Sequence, residues 1–437
     1  MSNQNPFDST SADSDKPKPE ARLRKRMRKK FLIIPGLLLL LALGYNAVRS
    51  WQAASAFESR LTRLREAGEP LTLDQLQREP LAKDDNALTR IRRTQPATDE
   101  LSQRLLEYQS SDEFRLLRPN DEQLQMLRQV LAEHKETFEL YARAAGCSRL
   151  QSDWRIGAQP SASLNSHLEE TSLTRAMFRN WSTRAGLLLA DGETEEALQQ
   201  GLQMSSLSRS IEHQPLILAY LVALACRSTS LDVIAAVLER GSLTDQQRQQ
   251  IDAALAACES VEGFKQALAS ERIYGLASFR TEIFGGTLGS VFLWKFKLDA
   301  CNYLDLVDEM TVWTESPRHR IDDSLKTLQS QSFGPLTSLV IPAFIQVRTA
   351  HDRTLARVRC VRLLNALQLQ HPGGISAAAD EVELSKSTET PDDPFTGASL
   401  KVAVAEDAVA VYSAGTNGTD DGGKLDDQSD IGVRISR

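Results

Sequence analysis

Residues 21–30, Ala-Arg-Leu-Arg-Lys-Arg-Met-Arg-Lys-Lys, carry seven cations in ten positions. They run directly into Phe31–Val48, eighteen residues without a charge. No other feature of the chain restricts its fold so strongly. As a helix rising 1.5 Å per residue, the uncharged run reaches roughly 27 Å, near the thickness of a bilayer's hydrocarbon core. Cationic flanks stay on the cytoplasmic side of a membrane. The block therefore predicts a single pass through a bacterial cytoplasmic membrane, with a cytoplasmic N-terminus and the bulk of the chain in the periplasm. Tyr45 and Trp51 fall where amphipathic rings favour the far interface. A cleaved secretory signal is a second reading, but Ala54-Ser55-Ala56 lies well beyond the apolar run. A buried soluble helix is a third, and seven adjacent cations oppose it. The block has no interleaved aromatics, so topology explains it better than nucleic-acid binding does.

Charge supports that exclusion. Lys plus Arg total 51 against 58 for Asp plus Glu, a net −7 that rules out a uniformly basic nucleic-acid binder. The distribution is uneven: residues 1–30 hold nine basic and four acidic groups, and residues 377–437 hold five basic and thirteen acidic. Residues 1–20 are rich in Ser, Asp, Asn and Pro and have almost nothing to bury, so 1–30 is expected to be a disordered basic tail.

Beyond the span, apolar residues recur at three- and four-residue steps, which predicts an extracytoplasmic helical domain over 49–341. Ala53, Ala54, Phe57, Leu61 and Leu64 carry a helix to Gly68, and Thr72 is placed to cap the next. Asn120 precedes an amphipathic stretch through Leu124, Leu127, Val130, Leu131, Phe138 and Leu140, ending near Gly146. Leu173, Met177, Trp181, Ala185 and Leu188 form another stripe, closed by Ala190-Asp191-Gly192, and a helix over Glu193–Ile211 follows. After Pro215 comes Leu-Ile-Leu-Ala-Tyr-Leu-Val-Ala-Leu-Ala-Cys226, apolar almost all round. About a dozen residues are too few for a span, so a helix buried in a bundle is expected. Gly241 stops the next helix, and Thr244 caps Asp245–Ala257. Helix pairs joined by short Gly-containing turns suggest an antiparallel array resembling tetratricopeptide-type repeats, although no period near 34 residues is visible. Gly275, Gly285, Gly286 and Gly289 make residues 276–300 read as a loop, with a lid or groove wall as the alternative. Leu336–Val347 is a second apolar run, a core helix rather than a re-entrant segment, leading into a long amphipathic helix through Leu364, Leu367 and Leu369.

The last region, 342–437, is expected to hold that long helix, a small β-hairpin and an acidic Gly/Asp-rich loop. Leu400–Val404 and Ala408–Tyr412 alternate as strands, with Glu406-Asp407 at the turn. The order of long helix, Asp393-Pro-Phe-Thr-Gly397, hairpin, Tyr412-Ser-Ala-Gly-Thr-Asn-Gly418 and terminal Asp430-Ile431 resembles the C-terminal part of type II secretion major pseudopilins. That resemblance covers about 90 residues and implies a small α+β module whose final loop binds Ca²⁺, through Ser413, Asn417, Asp420, Asp421 and Asp430. Calcium takes six to eight hard oxygens, and such a loop offers them. Asn417 stands where the family has Asp, and Thr419-Asp420-Asp421 lengthens the loop. A solvated acidic turn is the other reading. The G-F-x-x-x-E processing site of a pilin is missing from Lys30-Phe-Leu-Ile-Ile-Pro35, so the whole chain does not read as a pseudopilin. Ala67-Gly-Glu-Pro-Leu-Thr72, Asp84-Asp-Asn-Ala87, Leu189-Ala-Asp-Gly-Glu193 and Ser270-Glu-Arg272, taken with that ending, are similar to a large, uncharacterised group of bacterial single-pass membrane-anchored helical proteins. This implies architecture and location and no mechanism.

Motifs for catalysis are missing. Cys147, Cys226, Cys258, Cys301 and Cys360 make no C-x-x-C, and Cys226 and Cys258 read as buried small residues, although an oxidising compartment permits one or two disulfides. The six histidines form no H-E-x-x-H or H-x-H cluster, and no G-x-S-x-G occurs. Gly418-x-x-x-x-Gly423-Lys424 lacks the Ser or Thr of a phosphate loop, having Leu425 there. Glu271-Arg272 and Arg280/Glu282 could form an acid–base pair, but helical salt bridges are the plainer reading. Asn180-Trp-Ser182 matches a glycosylation sequon, with Trp181 on an apolar stripe. The expectation is a non-enzymatic, mainly α protein: a membrane-anchored extracytoplasmic binding or scaffold body, in contact with the lipid bilayer and a protein partner. An accessory of a pseudopilin-like secretion or envelope machine, and an extracytoplasmic enzyme with an unrecognised site, are the alternatives.

Overall fold

The computed structural model describes residues 19–76, 79–147, 149–152, 160–283, 293–371, 390–425 and 429–436. It is 73% helical, with one small antiparallel sheet at the C-terminal end, which places the chain in the mainly α class. The helices are α1 (Pro19–Glu66), α2 (Ala87–Arg93), α3 (Gln95–Arg104), α4 (Leu106–Gln109), α5 (Asp112–Arg115), α6 (Asp121–Glu133), α7 (Lys135–Ala145) and α8 (Pro160–Ala190). Then come α9 (Thr194–Glu212), α10 (Ile217–Arg240), α11 (Asp245–Ala256), α12 (Glu262–Ser278), α13 (Leu293–Trp313), α14 (Arg318–Ser330) and α15 (Pro335–Gln370). Strands β1 (Lys401–Val404), β2 (Ala408–Ser413) and β3 (Ile431–Ser436) form the sheet in that order.

The first helix is much longer than the apolar run. Its backbone is already helical from Pro19, so the basic segment 19–30 belongs to the same rod rather than to a disordered tail, and residues 1–18 lie outside the described residues. Helix propensity explains the extension, because Arg, Lys, Leu and Met are all strong formers. Leu37–Leu41 are 58–67% exposed, and Trp51 is 72% exposed. Two turns later Phe57, Leu61 and Leu64 are buried. One helix thus passes from a bare apolar half into the protein core.

Capping sets several boundaries. Asn120 and Thr244 each make a full capping box, accepting from the backbone N–H of Gln123 and Gln247 while those side chains reach back to the cap. The single helix expected between Asn120 and Gly146 is broken at His134. Its Nδ1 lies 2.9 Å from the Val130 carbonyl, and its backbone N–H turns to Leu131 instead. Thr72 opens only a 3-10 turn, Leu73–Leu76. The described parts of 276–300 are helical, which corrects the loop reading at its two ends only: α12 runs to Ser278, a π-turn covers Phe279–Ile283 and α13 starts at Leu293. Residues 284–292 lie outside the described residues. Gly275 marks a close helix crossing, since the Tyr303 ring occupies the place a β-carbon would take.

Two apolar cores stack end to end. The proximal one joins the second half of α1 to α12, α13, α14 and the start of α15, around Phe264, Leu304, Met310 and Phe344. The distal one joins α2, α3, α6–α11 and the end of α15 with the inner face of the sheet, around Phe138, Trp181, Ile234, Leu364 and Val411. Helices α10 and α15 thread both. Helix α9 lies antiparallel on α10, with Gly201 against Ile234 at one end and Glu212 against Arg227 at the other. Because α15 starts at Pro335, a boundary at 341/342 would cut a continuous helix, and the C-terminal module is not a separate unit. Strand β3 adds to the expected hairpin, pairing Val411 with Val433.

Candidate functional site

Two places deserve comparison: the C-terminal loop singled out by its sequence, and a trench along α10 that no motif announces. In the loop, Ser413 Oγ donates to the Asp393 carboxylate at 2.7 Å, which also accepts from the N–H groups of Phe395 and Ala414 at 2.9 and 3.0 Å. Asp393 is 3% exposed and faces the strand end. The Asp-Pro-Phe-Thr-Gly and Tyr-Ser-Ala-Gly motifs are therefore joined by one saturated carboxylate.

The other expected ligands point elsewhere. Asp420 pairs with Lys401 at 2.6 Å and accepts from the Tyr412 hydroxyl at 3.1 Å, and Lys401 holds its carboxyl below the usual range. Asn417 donates to Asp421 at 2.9 Å. Asp430 is fully buried and accepts from the N–H groups of Asp421 and Gly423 at 3.3 and 2.7 Å. Asn417, Asp420, Asp421 and Asp430 thus share one loop, while Ser413 turns away to Asp393. Among the described residues no three His, Cys, Asp or Glu side chains converge as a metal site. Asp426 and Asp427 lie outside the described residues.

The trench forms because one face of α10 is left uncovered between α8 and α15. Leu221, Ala225, Ser228, Asp232, Ala235 and Glu239 follow one another at three- and four-residue steps, so they line a single stripe. Three cavities of about 410, 480 and 360 Å³ adjoin one another along it, with Ala225, Asp232, Arg357, Leu425 and Gly432 each lining two of them. Asp430 and Ile431 line the middle cavity, making Asp430 the one loop candidate that reaches the trench.

The walls are rich in arginine. Arg175 and Arg179 stand one turn apart on α8 beside Arg115, over Phe114, Phe178 and the Ser182 hydroxyl. Among the described residues neither Arg175 nor Arg179 forms an ion pair, and burial together with Arg175 holds the Arg179 guanidinium below its usual range. Arg357, from α15, bridges the trench to Asp232 at 2.6 Å and to Ser228. At the far end Glu239 accepts from Arg118 and from the Ser436 N–H, each at 2.6 Å, which ties the last strand to α10. Cys226 touches the first cavity, but burial pushes its thiol far up, so it is no nucleophile. Unpaired planar guanidiniums beside hydroxyls and aromatic faces suit carboxylate or phosphate groups.

Of the remaining sequence candidates, Arg280 is exposed on the π-turn and the other described ones lie in or beside the core. Arg272 is buried and pairs with Glu69 at 2.7 Å and Asp308 at 3.0 Å. Its neighbour Glu271 makes no ion pair among the described residues, and burial pushes its carboxyl up to about 7. The Glu282 side chain lies outside the described residues. Asn180 is fully buried and bonded to Ser102 and Gln109, so the sequon is a core feature. All five cysteines are free, and Cys226 and Cys258 are buried as expected. The trench escaped sequence reading because α10 is apolar overall; Ser228, Asp232 and Glu239 at helical spacing were its only signal. Comparison with protein-family models, with curated proteins and with solved structures finds no match to this chain.

Proposed function

We propose that the chain is a single-pass membrane protein whose helical body, held outside the cytoplasm, binds an anionic partner along the α10 trench. The observation that carries this reading is α1. Its segment from Ile34 to Val48 is uncharged and largely exposed, and its continuation is core, so the apolar run and the body share one continuous helix. Exposed apolar area of that kind is unfavourable in water at about 25 cal/mol per Å² and calls for lipid. The orientation follows from the cations before it. The arginine-lined trench supplies the binding surface, with acidic protein segments as the partner class. Catalysis is no part of the reading.

Two measurements test it. Reporter fusions at the C-terminus should be active only outside the cytoplasm, and the full chain should resist carbonate extraction. A photo-crosslinker at Arg179 should capture one reproducible adduct that an Arg175→Glu variant loses, while one at exposed Val312 captures none. Equal capture at both positions would remove the trench from the proposal. The pseudopilin-accessory reading rests on the Asp393 knot and the acidic loop. Calorimetry on the full chain with Ca²⁺ tests it, since absence of binding would take away its basis.

A further inference from the structure

The end of the body from which α1 emerges has an ordered geometry. Arg49 of α1 stacks over the Trp294 ring of α13 at 4.8 Å, Arg60 pairs with Asp305 at 2.6 Å, and Arg63 reaches Asp308 at 3.7 Å. These pairs keep a constant sequence offset, so α1 and α13 run parallel and the start of α13 lies level with the end of the apolar run. Helix α12 comes down antiparallel, since Lys265 meets Glu315, Arg272 meets Asp308 and Phe279 meets Tyr303. Asp299, one turn and a half into α13, accepts from the N–H groups of Leu336 and Thr337 at 2.9 and 3.1 Å and so caps α15. A β-carbon at Gly334 would strike that carboxylate. The first turns of α13 and α15 therefore sit beside the point where α1 leaves the body.

The chemistry of that end is amphipathic. Trp51 is 72% exposed and Leu339, on the first turns of α15, is 75% exposed, the most exposed large apolar side chain of the described residues. Exposed Lys295 lies over the Trp294 ring at 5.5 Å, with Lys297 half a turn on. Indole rings and lysines over exposed leucine are the side chains that favour the interfacial layer of a bilayer with anionic headgroups.

We propose that this end of the body is a lipid-docking surface: Trp51, Trp294, Lys295, Lys297 and Leu339 seat the first turns of α13 and α15 on an anionic bilayer surface around the anchor. The proposal rests on the membrane reading of α1. It adds that the body lies against the membrane instead of standing off on a stalk. Continuity with the apolar half of α1 selects lipid as the occupant, because whatever surrounds Val48 also reaches Trp294.

The test uses the full chain in vesicles of phosphatidylcholine and phosphatidylglycerol. Four of the five cysteines are buried, so a Cys147→Ser background accepts a nitroxide at Leu339→Cys or, as control, at Val312→Cys. Val312 is 70% exposed and lies near the other end of α13, roughly 27 Å further on at 1.5 Å per residue. The label at 339 should lose most of its collisions with a water-soluble nickel chelate and gain collisions with oxygen, while the label at 312 stays open to the chelate. Lys295→Glu with Lys297→Glu should return the 339 label toward water. Flotation of the chain with the vesicles is read in parallel. A floating chain whose two labels are equally open overturns the docking surface and leaves the anchor standing. A chain that does not float overturns both.

Discussion

Among the described residues two helices are long and apolar enough to cross a membrane, and they meet opposite fates. The window from Ile34 has no buried residue, whereas the α10 window is 67% buried. Apolar composition alone therefore does not decide which helix lies in the protein core. Flanks and partners separate the two. The α1 window follows a cationic block and is exposed from Ile34 to Tyr45, while α10 packs against α8, α9, α12 and α15 and keeps one open face. A polar group marks the difference, since α10 carries Arg227 fully inside, paired with Glu212 of α9, a partner that a protein supplies and lipid does not.

That contrast can be broken most forcefully at α1. Leu39→Arg with Leu41→Arg places two charges mid-span, at about 2.5–3.5 kcal/mol each on an insertion scale. Carbonate extraction should then release the chain, with the thermal melt of the body unchanged. Arg227→Ala on α10 should do the reverse. It strands the buried Glu212 carboxylate and costs about 3–5 kcal/mol in urea unfolding, with membrane retention intact.

Acid should act on α10's other buried contact. His351 is stacked near Tyr220 and Phe264, its Nδ1 lies 2.7 Å from the Tyr220 hydroxyl, and burial with Arg348 nearby pushes its pKa down to about 3. The folded state therefore holds the ring neutral. This contribution is intact above the ordinary value near 6.5 and is lost as pH falls toward 3, up to about 4 kcal/mol. His351→Phe should flatten that limb in unfolding curves taken from pH 7 to 4. Glu271 has the opposite sign. Its pKa of about 7 lies above the unfolded value, so its destabilising effect is absent below pH 4.5 and complete above pH 7. Glu271→Gln should stabilise the proximal core by up to about 3 kcal/mol at pH 8 and by nothing at pH 4.5. The smallest effect belongs to Thr244→Ala, which removes the cap of the helix after α10 and should cost about 1 kcal/mol.

Local signals were legible at most helix ends, Thr72 and the His134 break excepted. Asn120 and Thr244 announced their capping boxes, and Ala190-Asp-Gly192 its turn, with Gly192 at φ +83°. Contacts between distant segments were not legible. The Gly275 crossing looked like a helix breaker because its partner, Tyr303, is 28 residues away. The kink at His134 depends on a ring nitrogen finding a carbonyl. The site was read least well, since the loop carboxylates carried a motif and the trench carried none. A trench lies between elements, and its arginines come from α5, α8 and α15, which only the fold brings together.

What the chain determined by itself is the N-terminal apolar helix and the helical class, because apolar length and 3.6-residue periodicity act over neighbouring residues. Tertiary structure decided which apolar helix is covered, where the arginines meet, and that Trp294 sits level with Arg49. Burial and electrostatic convergence depend on distances between segments far apart in the chain, and those distances exist only after the helices have packed.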